Sequence, residues 1–374
     1  MEFLERSYPP YRDKKLVIEY VNNLPLYTPK ELYDKLEKLG YRGQVSARRA
    51  VCVAAYRHLR KIKMLFSGRV KKDKIPEKIN YLLIGPTGCG KTYIIELLFG
   101  KILRLPFVII DITKYSETGY VGENIINIPA RLVEAAYNNV ELAQIGVIAF
   151  DEFDKIAGAR SNVRFAGAGT TKDVSGYGVQ RELLKMLEGT KVPYGPGIDP
   201  VGTIDTSNML FFGIGAFSGI KEFSTAREIG FLREITEPDY GKIAYQLKPF
   251  EAEDIEKFYS YGFLPELMAR FQRIIPFLPL DKKTLKEILH LKLKKLKTEF
   301  KEEGFDIKIT PRAEEYIIEE AIKRETGARA LETVIIRELE EISFEIFGQG
   351  KQGKILIDCD KGKLQCKLQL KSKK

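Results

Sequence analysis

The chain has 374 residues, 44% of them hydrophobic, and no apolar run approaches the roughly 20 residues of a membrane span, which suits two or three globular domains and no helical membrane protein. Lys and Arg exceed Asp and Glu by 61 to 51, a balance of +10 that leaves nucleic acid, an acidic partner or a lysine-rich soluble surface open. The N-terminus lacks the charged and apolar regions of a signal peptide, and the four cysteines lie far apart without zinc spacing, so the expectation is a cytoplasmic protein with reduced thiols and no metal cluster.

Residues 1–27, with Pro9, Pro10 and Pro25, read as a lead-in segment holding one short strand at Leu16-Val17-Ile18. Thr28-Pro29-Lys30-Glu31 then carries an N-cap hydroxyl, a proline at the first helical position and a glutamate at capping-box spacing, which predicts a helix to Gly40. A longer helix follows from Ser46 to about Met64. From Asn80 apolar runs alternate with helical patterns: Tyr81–Ile84 then 91–103, Phe107–Ile110 then 123–138, Val147–Phe150 then 178–188, and Leu210–Ile214. This rhythm belongs to a parallel sheet with helices on both faces, whose ligands bind at the carboxyl ends of the strands. Glycine-rich 157–177 and the stretch 190–205 read as loops. Beyond Pro276-Phe277-Leu278-Pro279 come helices at 281–303, 311–324 and 327–347, then a terminal β-hairpin from Lys354–Asp358 and Leu364–Leu370. Repeated lysines in the first of these helices stand at helical spacing between leucines, as on a solvated face.

Between the first strand and its helix lies Gly85-Pro86-Thr87-Gly88-Cys89-Gly90-Lys91-Thr92. The pattern G-x-x-x-x-G-K-S/T turns backbone N–H groups inward around phosphate oxygens and adds the positive end of the helix that follows. Lys91 would reach the β- and γ-phosphates of a nucleotide and Thr92 would hold Mg²⁺. Asp151 and Glu152 end a buried strand, where Asp151 would hold Mg²⁺ through its hydration shell and Glu152 would polarise the attacking water.

With these motifs the chain resembles the AAA+ ATPases of the ClpX/HslU branch over roughly residues 28–347. The resemblance extends to Gly43-Gln44, Gly119-Tyr120-Val121-Gly122-Glu123-Asn124, Asp151-Glu152-Phe153-Asp154-Lys155, the segment Leu183–Thr190, Gly215-Ala216-Phe217, Pro265-Glu266-Leu267 with Arg270, and Thr326-Gly327-Ala328-Arg329. It implies a large P-loop α/β domain over 28–276 and a small, mainly helical domain over 280–374. It also implies a hexameric ring that unfolds protein substrates with Tyr120 and Val121 in its pore, Arg270 as an arginine finger and Arg329 as the sensor-II arginine, with ATP between subunits and between domains. Ile229-Gly230-Phe231 stands where ClpX-type proteins carry a loop that docks on a ClpP peptidase. There are departures. The four-cysteine zinc module of ClpX and the inserted domain of HslU have no counterpart, and residues 285–303 read more like the small domain of Clp disaggregases. A nucleic-acid-acting AAA+ protein of the helicase- or clamp-loader type is the alternative on charge, and a nucleotide-gated scaffold a third.

Overall fold

The computed structural model describes residues 14–67, 70, 74–116, 123–158, 175–195, 201–218, 255–324, 326–360 and 362–370. The chain forms two compact units, one of Met1–Leu39, Val45–Gly85 and Lys91–Phe277, the other of Gly40–Gln44, Pro86–Gly90 and Leu278–Lys374.

The first described element of the larger unit is a helix, α1 (Lys14–Asn23), where the run Leu16-Val17-Ile18, with two β-branched residues, suggests a strand. Val17, Val21 and Leu24 are buried at helical spacing, and that stripe outweighs the local strand preference. Lys63 satisfies the helix end by donating to the carbonyls of Val21 and Asn22, both at 2.9 Å. The chain is therefore ordered before Thr28. In α2 (Pro29–Lys38) the capping box is complete: Glu31 N–H donates to Thr28 Oγ1 at 3.3 Å and Thr28 N–H to Glu31 Oε2 at 2.7 Å. Arg48, near the start of α3 (Val45–Phe66), pairs with Glu37 at 2.6 Å and stacks over Tyr33.

There follow β1 (Asn80–Ile84), α4 (Lys91–Ile95) continuing as a π-helix over Glu96–Ile102, β2 (Phe107–Asp111), short strands β3 (Tyr115–Ser116) and β4 (Glu123–Asn124), α5 (Asn127–Ala135), α6 (Val140–Ala143), β5 (Val147–Asp151), α7 (Ser175–Glu188), β6 (Lys191–Tyr194), β7 (Gly202–Asp205), β8 (Leu210–Gly215), α8 (Ile255–Tyr261), α9 (Pro265–Met268) and β9 (Phe271–Pro276). Strands β2-β5-β8-β1-β9 form one parallel sheet in that order. β1 and β8 are buried throughout, as continuous apolar runs require when both faces are covered. Two further expectations need correction, and one strand was missed. Residues 190–205, read as a loop, include the antiparallel pair β6–β7, held by buried Val192 and Ile204. The helix expected from 123 starts at Asn127, its first residues being β4 and a turn. β9 is a strand the sequence did not reveal.

The smaller unit contains α10 (Lys282–Glu302), β10 (Phe305–Ile309), α11 (Pro311–Lys323), α12 (Ala328–Ile346), β11 (Gly353–Asp360) and β12 (Lys363–Leu370). Asp281 and Thr310 cap α10 and α11 by accepting from the backbone of Thr284 and Ala313. The terminal hairpin β11–β12 is joined by β10, which was not anticipated, in a three-stranded sheet. Its core includes Leu285, Leu289, Ile317, Leu331 and Ile355.

Candidate functional site

In the larger unit the strand-to-helix turn begins at Gly85, where φ is +154° and a Cβ would lie 2.3 Å from the carbonyl oxygen of Phe277. Only glycine fits there. Lys91 opens α4, largely buried, and its ammonium donates to Gly85 O at 2.6 Å, so the charge is folded over the loop's own backbone. Thr92 Oγ1 donates to Asp151 Oδ2 at 3.0 Å. The register of β1, β8 and β5 puts Gly85 and Asp151 at one edge of the sheet, which is why residues 59 positions apart meet.

Glu152, next along, occupies the left-handed region at φ 56°, ψ 31°, and its side chain is exposed. For a residue with a Cβ this conformation costs about 1–2 kcal/mol. The turn is held in place from behind. Buried Asp154 accepts from Ala216 N at 3.1 Å and faces Lys155 Nζ at 3.4 Å, while Phe153 packs on Phe150, Phe263 and Phe271. Asp151 Oδ1 accepts from Glu152 N–H at 3.0 Å. Nearby, burial pushes the Glu96 carboxyl up; Lys101 opposes the shift and the charge of Asp151 adds to it.

The middle of the loop, Pro86–Gly90, groups with the smaller unit. Gly88 has φ +73°, a Cβ on it would lie 2.0 Å from Thr326 O, and its carbonyl accepts from Ala328 N at 3.1 Å. Arg329 is the next residue, exposed in the first turn of α12. Tyr41 donates its hydroxyl to Gly90 O at 3.2 Å, and Gln44 donates to Leu278 O at 2.5 Å and to Cys89 O at 3.4 Å. Gln44 had a signal in the Gly43-Gln44 pair; Tyr41 had none.

Arg270 is not brought to this loop in its own chain. It precedes β9, which runs parallel to β1 with Phe271 opposite Asn80, so it stands at the amino ends of the strands while Gly85 follows their carboxyl ends. Five residues of strand separate the two edges, about 16 Å at 3.3 Å per residue, further than an arginine side chain reaches. Tyr120, Val121, Ile229, Gly230 and Phe231 lie outside the described residues. Flanking the first of these segments, Arg131 pairs with Glu123 at 2.6 Å and, with Tyr115, holds that carboxyl below its ordinary range.

Residues 76–274 match the family described as AAA domain (Cdc48 subfamily), and residues 280–355 match the C-terminal, D2-small domain, of ClpB protein. Similar curated proteins carry the name ATP-dependent Clp protease ATP-binding subunit ClpX. That of Treponema denticola is 35% identical over 336 residues, 85% of this chain and 77% of that protein. That of Borrelia duttonii is 35% identical over 354 residues, 90% and 78% of the two chains. ClpX 3 of Methylococcus capsulatus is 32% identical over 371 residues, 93% and 82%.

Proposed function

Because the chain belongs to the Clp/Hsp100 family of AAA+ ATPases, and is therefore a nucleotide-binding ATPase, we propose that it is a ClpX-like protein unfoldase. It assembles as a hexameric ring in the cytoplasm, pulls polypeptide past Tyr120 and Val121, and delivers it to a ClpP-type peptidase docked on Ile229-Gly230-Phe231. The observation that carries the catalytic part is the 3.0 Å contact of Thr92 with Asp151 at the edge where the loop leaves β1.

The loop Gly85–Gly90 cradles the phosphates with its backbone N–H groups, and Lys91 exchanges Gly85 O for phosphate oxygens. A hydroxyl and a carboxylate oxygen side by side are the hard donors that Mg²⁺ takes, along with water and phosphate, so Thr92 and Asp151 fit it. Mg²⁺ when bound there neutralises charge on the phosphates. Glu152, one residue on and turned outward, orients and deprotonates the attacking water. Arg329 supplies a permanent charge beside Gly88, where Ala328 holds the loop. Arg270, on the far edge of its own sheet, serves the nucleotide of the neighbouring subunit, so a monomer hydrolyses ATP poorly.

The test is a purified-protein assay of ATP hydrolysis and of degradation of a tagged, folded substrate, with and without a ClpP-type peptidase. Tyr120→Ala is expected to hydrolyse ATP yet lose unfolding. Normal unfolding by that variant, or ATPase stimulated by DNA in a salt-sensitive way, would overturn the reading.

A further inference from the structure

The segment carrying Arg270 is tied down in an unusual way. Its guanidinium Nη2 donates to Glu188 Oε1 at 2.7 Å, and its main-chain carbonyl accepts from Asn80 Nδ2 at 2.8 Å. The same amide nitrogen reaches Leu187 O, immediately before Glu188, at 3.4 Å. One side chain, 1% exposed, thus joins the backbone that bears the arginine to the backbone that bears its carboxylate partner. Gln272 Oε1 completes the link by accepting from Asn80 N–H at 2.7 Å.

As a stabilising device the arrangement is poor. The ion pair is open to water, 44% and 35% exposed, and pairs of this kind contribute little to a fold. Asn80 Oδ1 is buried with no hydrogen-bond partner among the described residues, which works against stability. As an aligning device it is good. Among the described residues the contact uses one nitrogen of a planar fork with five N–H donors, which leaves the rest of the fork for a second acceptor.

We propose that Glu188 and Asn80 are positioning residues for Arg270: Asn80 fixes where its backbone stands, and Glu188 holds one edge of the guanidinium so that the other faces the phosphates bound by the next subunit. This rests on Arg270 acting across the subunit interface, as proposed above. Orientation fixed before the nucleotide arrives lowers the barrier without tightening ATP binding, so the effect belongs in kcat.

The experiment is Glu188→Gln, which keeps the shape and removes the charge, assayed for ATPase beside Arg270→Ala, the double variant, and mixtures with Lys91→Ala. Glu188→Gln is expected to lower kcat about tenfold, leave KM for ATP within about twofold, and leave the assembly seen in size-exclusion unchanged. In the Arg270→Ala background it should cost nothing more. Adding Lys91→Ala subunits, dead themselves but carrying an intact Arg270–Glu188 pair, should restore turnover at the Glu188→Gln sites. Full turnover by Glu188→Gln while Arg270→Ala is inactive overturns the positioning role and leaves the finger standing. Full turnover by Arg270→Ala overturns both. A Glu188→Gln defect that persists in the double variant, or that mixing fails to rescue, shows a general structural role and overturns the proposal.

Discussion

The two edges of the central sheet use polar residues in opposite ways. At the carboxyl edge the groups bond to one another and to a loop: Thr92 to Asp151, Lys91 to Gly85 O, Asp151 to the backbone of Glu152. At the amino edge, the Arg270–Glu188 pair apart, they end on the main chain of packed elements. His58 Nε2 donates to Ile145 O at 3.0 Å ahead of β5, Lys78 Nζ to Thr206 O at 3.0 Å ahead of β8, and Thr206 Oγ1 to Met186 O at 2.8 Å near the end of α7. A bond to a packed carbonyl has no better partner to move to, and a bond between side chains at a strand end can be exchanged for a ligand. Polarity alone does not mark a site; the mobility of the partner does.

The strongest test of that contrast is Glu152→Gln. Loss of the base proposed here should lower ATP turnover about a hundredfold or more while leaving nucleotide affinity and thermal stability within error of the parent. Turnover under saturating ATP, ATP binding by calorimetry and a melting curve check all three. A drop in melting temperature would mean that the carboxyl edge holds the fold together too, and the contrast would fail.

At the amino edge the expected response is in stability. Burial pushes the His58 imidazole from its ordinary 6.5 down to about 4; the bond to Ile145 opposes the shift, and Lys61 and Lys78 add to it. The folded protein therefore binds this proton more weakly than the unfolded chain does. The stabilising contribution is present above pH 6.5 and is lost as pH falls from 6.5 to 4, about 3 kcal/mol in all. Urea midpoints at pH 7 and pH 4.5 should show it, and His58→Leu should flatten the difference while leaving turnover at pH 7 intact. Lys78, pushed down to about 7 chiefly by burial, extends the same dependence upward, stability rising as pH climbs from 7 towards 10.5.

How legible this was depended on where each strand lies. β1, β5 and β8 are covered on both faces and announce themselves as unbroken apolar runs, and the glycine loop and the Asp-Glu pair follow them directly. Among the described residues β9 is an edge strand paired only with β1, and its residues Gln272 and Arg273 face water, so Phe271–Pro276 carries no such run. Arg270 was visible as a motif, but its distance from its own loop depends on that strand's register. The roles of Asn80 and Glu188 arise from contacts spanning 190 and 82 positions, which no local pattern encodes. Over Lys14–Asn23 the error was of another kind, since strand preference at Val17 and Ile18 hid a helical stripe that was present in the sequence.

Thr206→Val gives a smaller effect at the amino edge. The hydroxyl, fully buried, sits 2.8 Å from Met186 O and 3.0 Å from Thr190 O. An isosteric methyl removes that bond and leaves Met186 O short of a donor, while Thr190 O still accepts from the backbone N–H of residue 206 at 3.0 Å, a loss of about 1–2 kcal/mol seen as a lower denaturation midpoint. ATP turnover by the folded variant should match the parent, and a selective loss of kcat would place this hydroxyl in the catalytic machinery.

Glu152→Gly should give the smallest change and the opposite sign. Glycine takes φ 56° without the Cβ penalty of about 1–2 kcal/mol, and it gives back part of that gain through its freer unfolded chain. A net gain of about 0.5 kcal/mol over Glu152→Gln is expected, because both variants lack the carboxylate and only one keeps the strain. Paired melting curves of these two inactive proteins isolate the backbone term from the chemistry. A glycine variant less stable than the glutamine one would mean that the turn behind Glu152, pinned by Asp154 and Phe153, stores no strain. A more stable one would show that the carboxyl edge gives up stability to present a carboxylate, a trade that His58, Lys78 and Thr206, bonded to packed carbonyls, do not make.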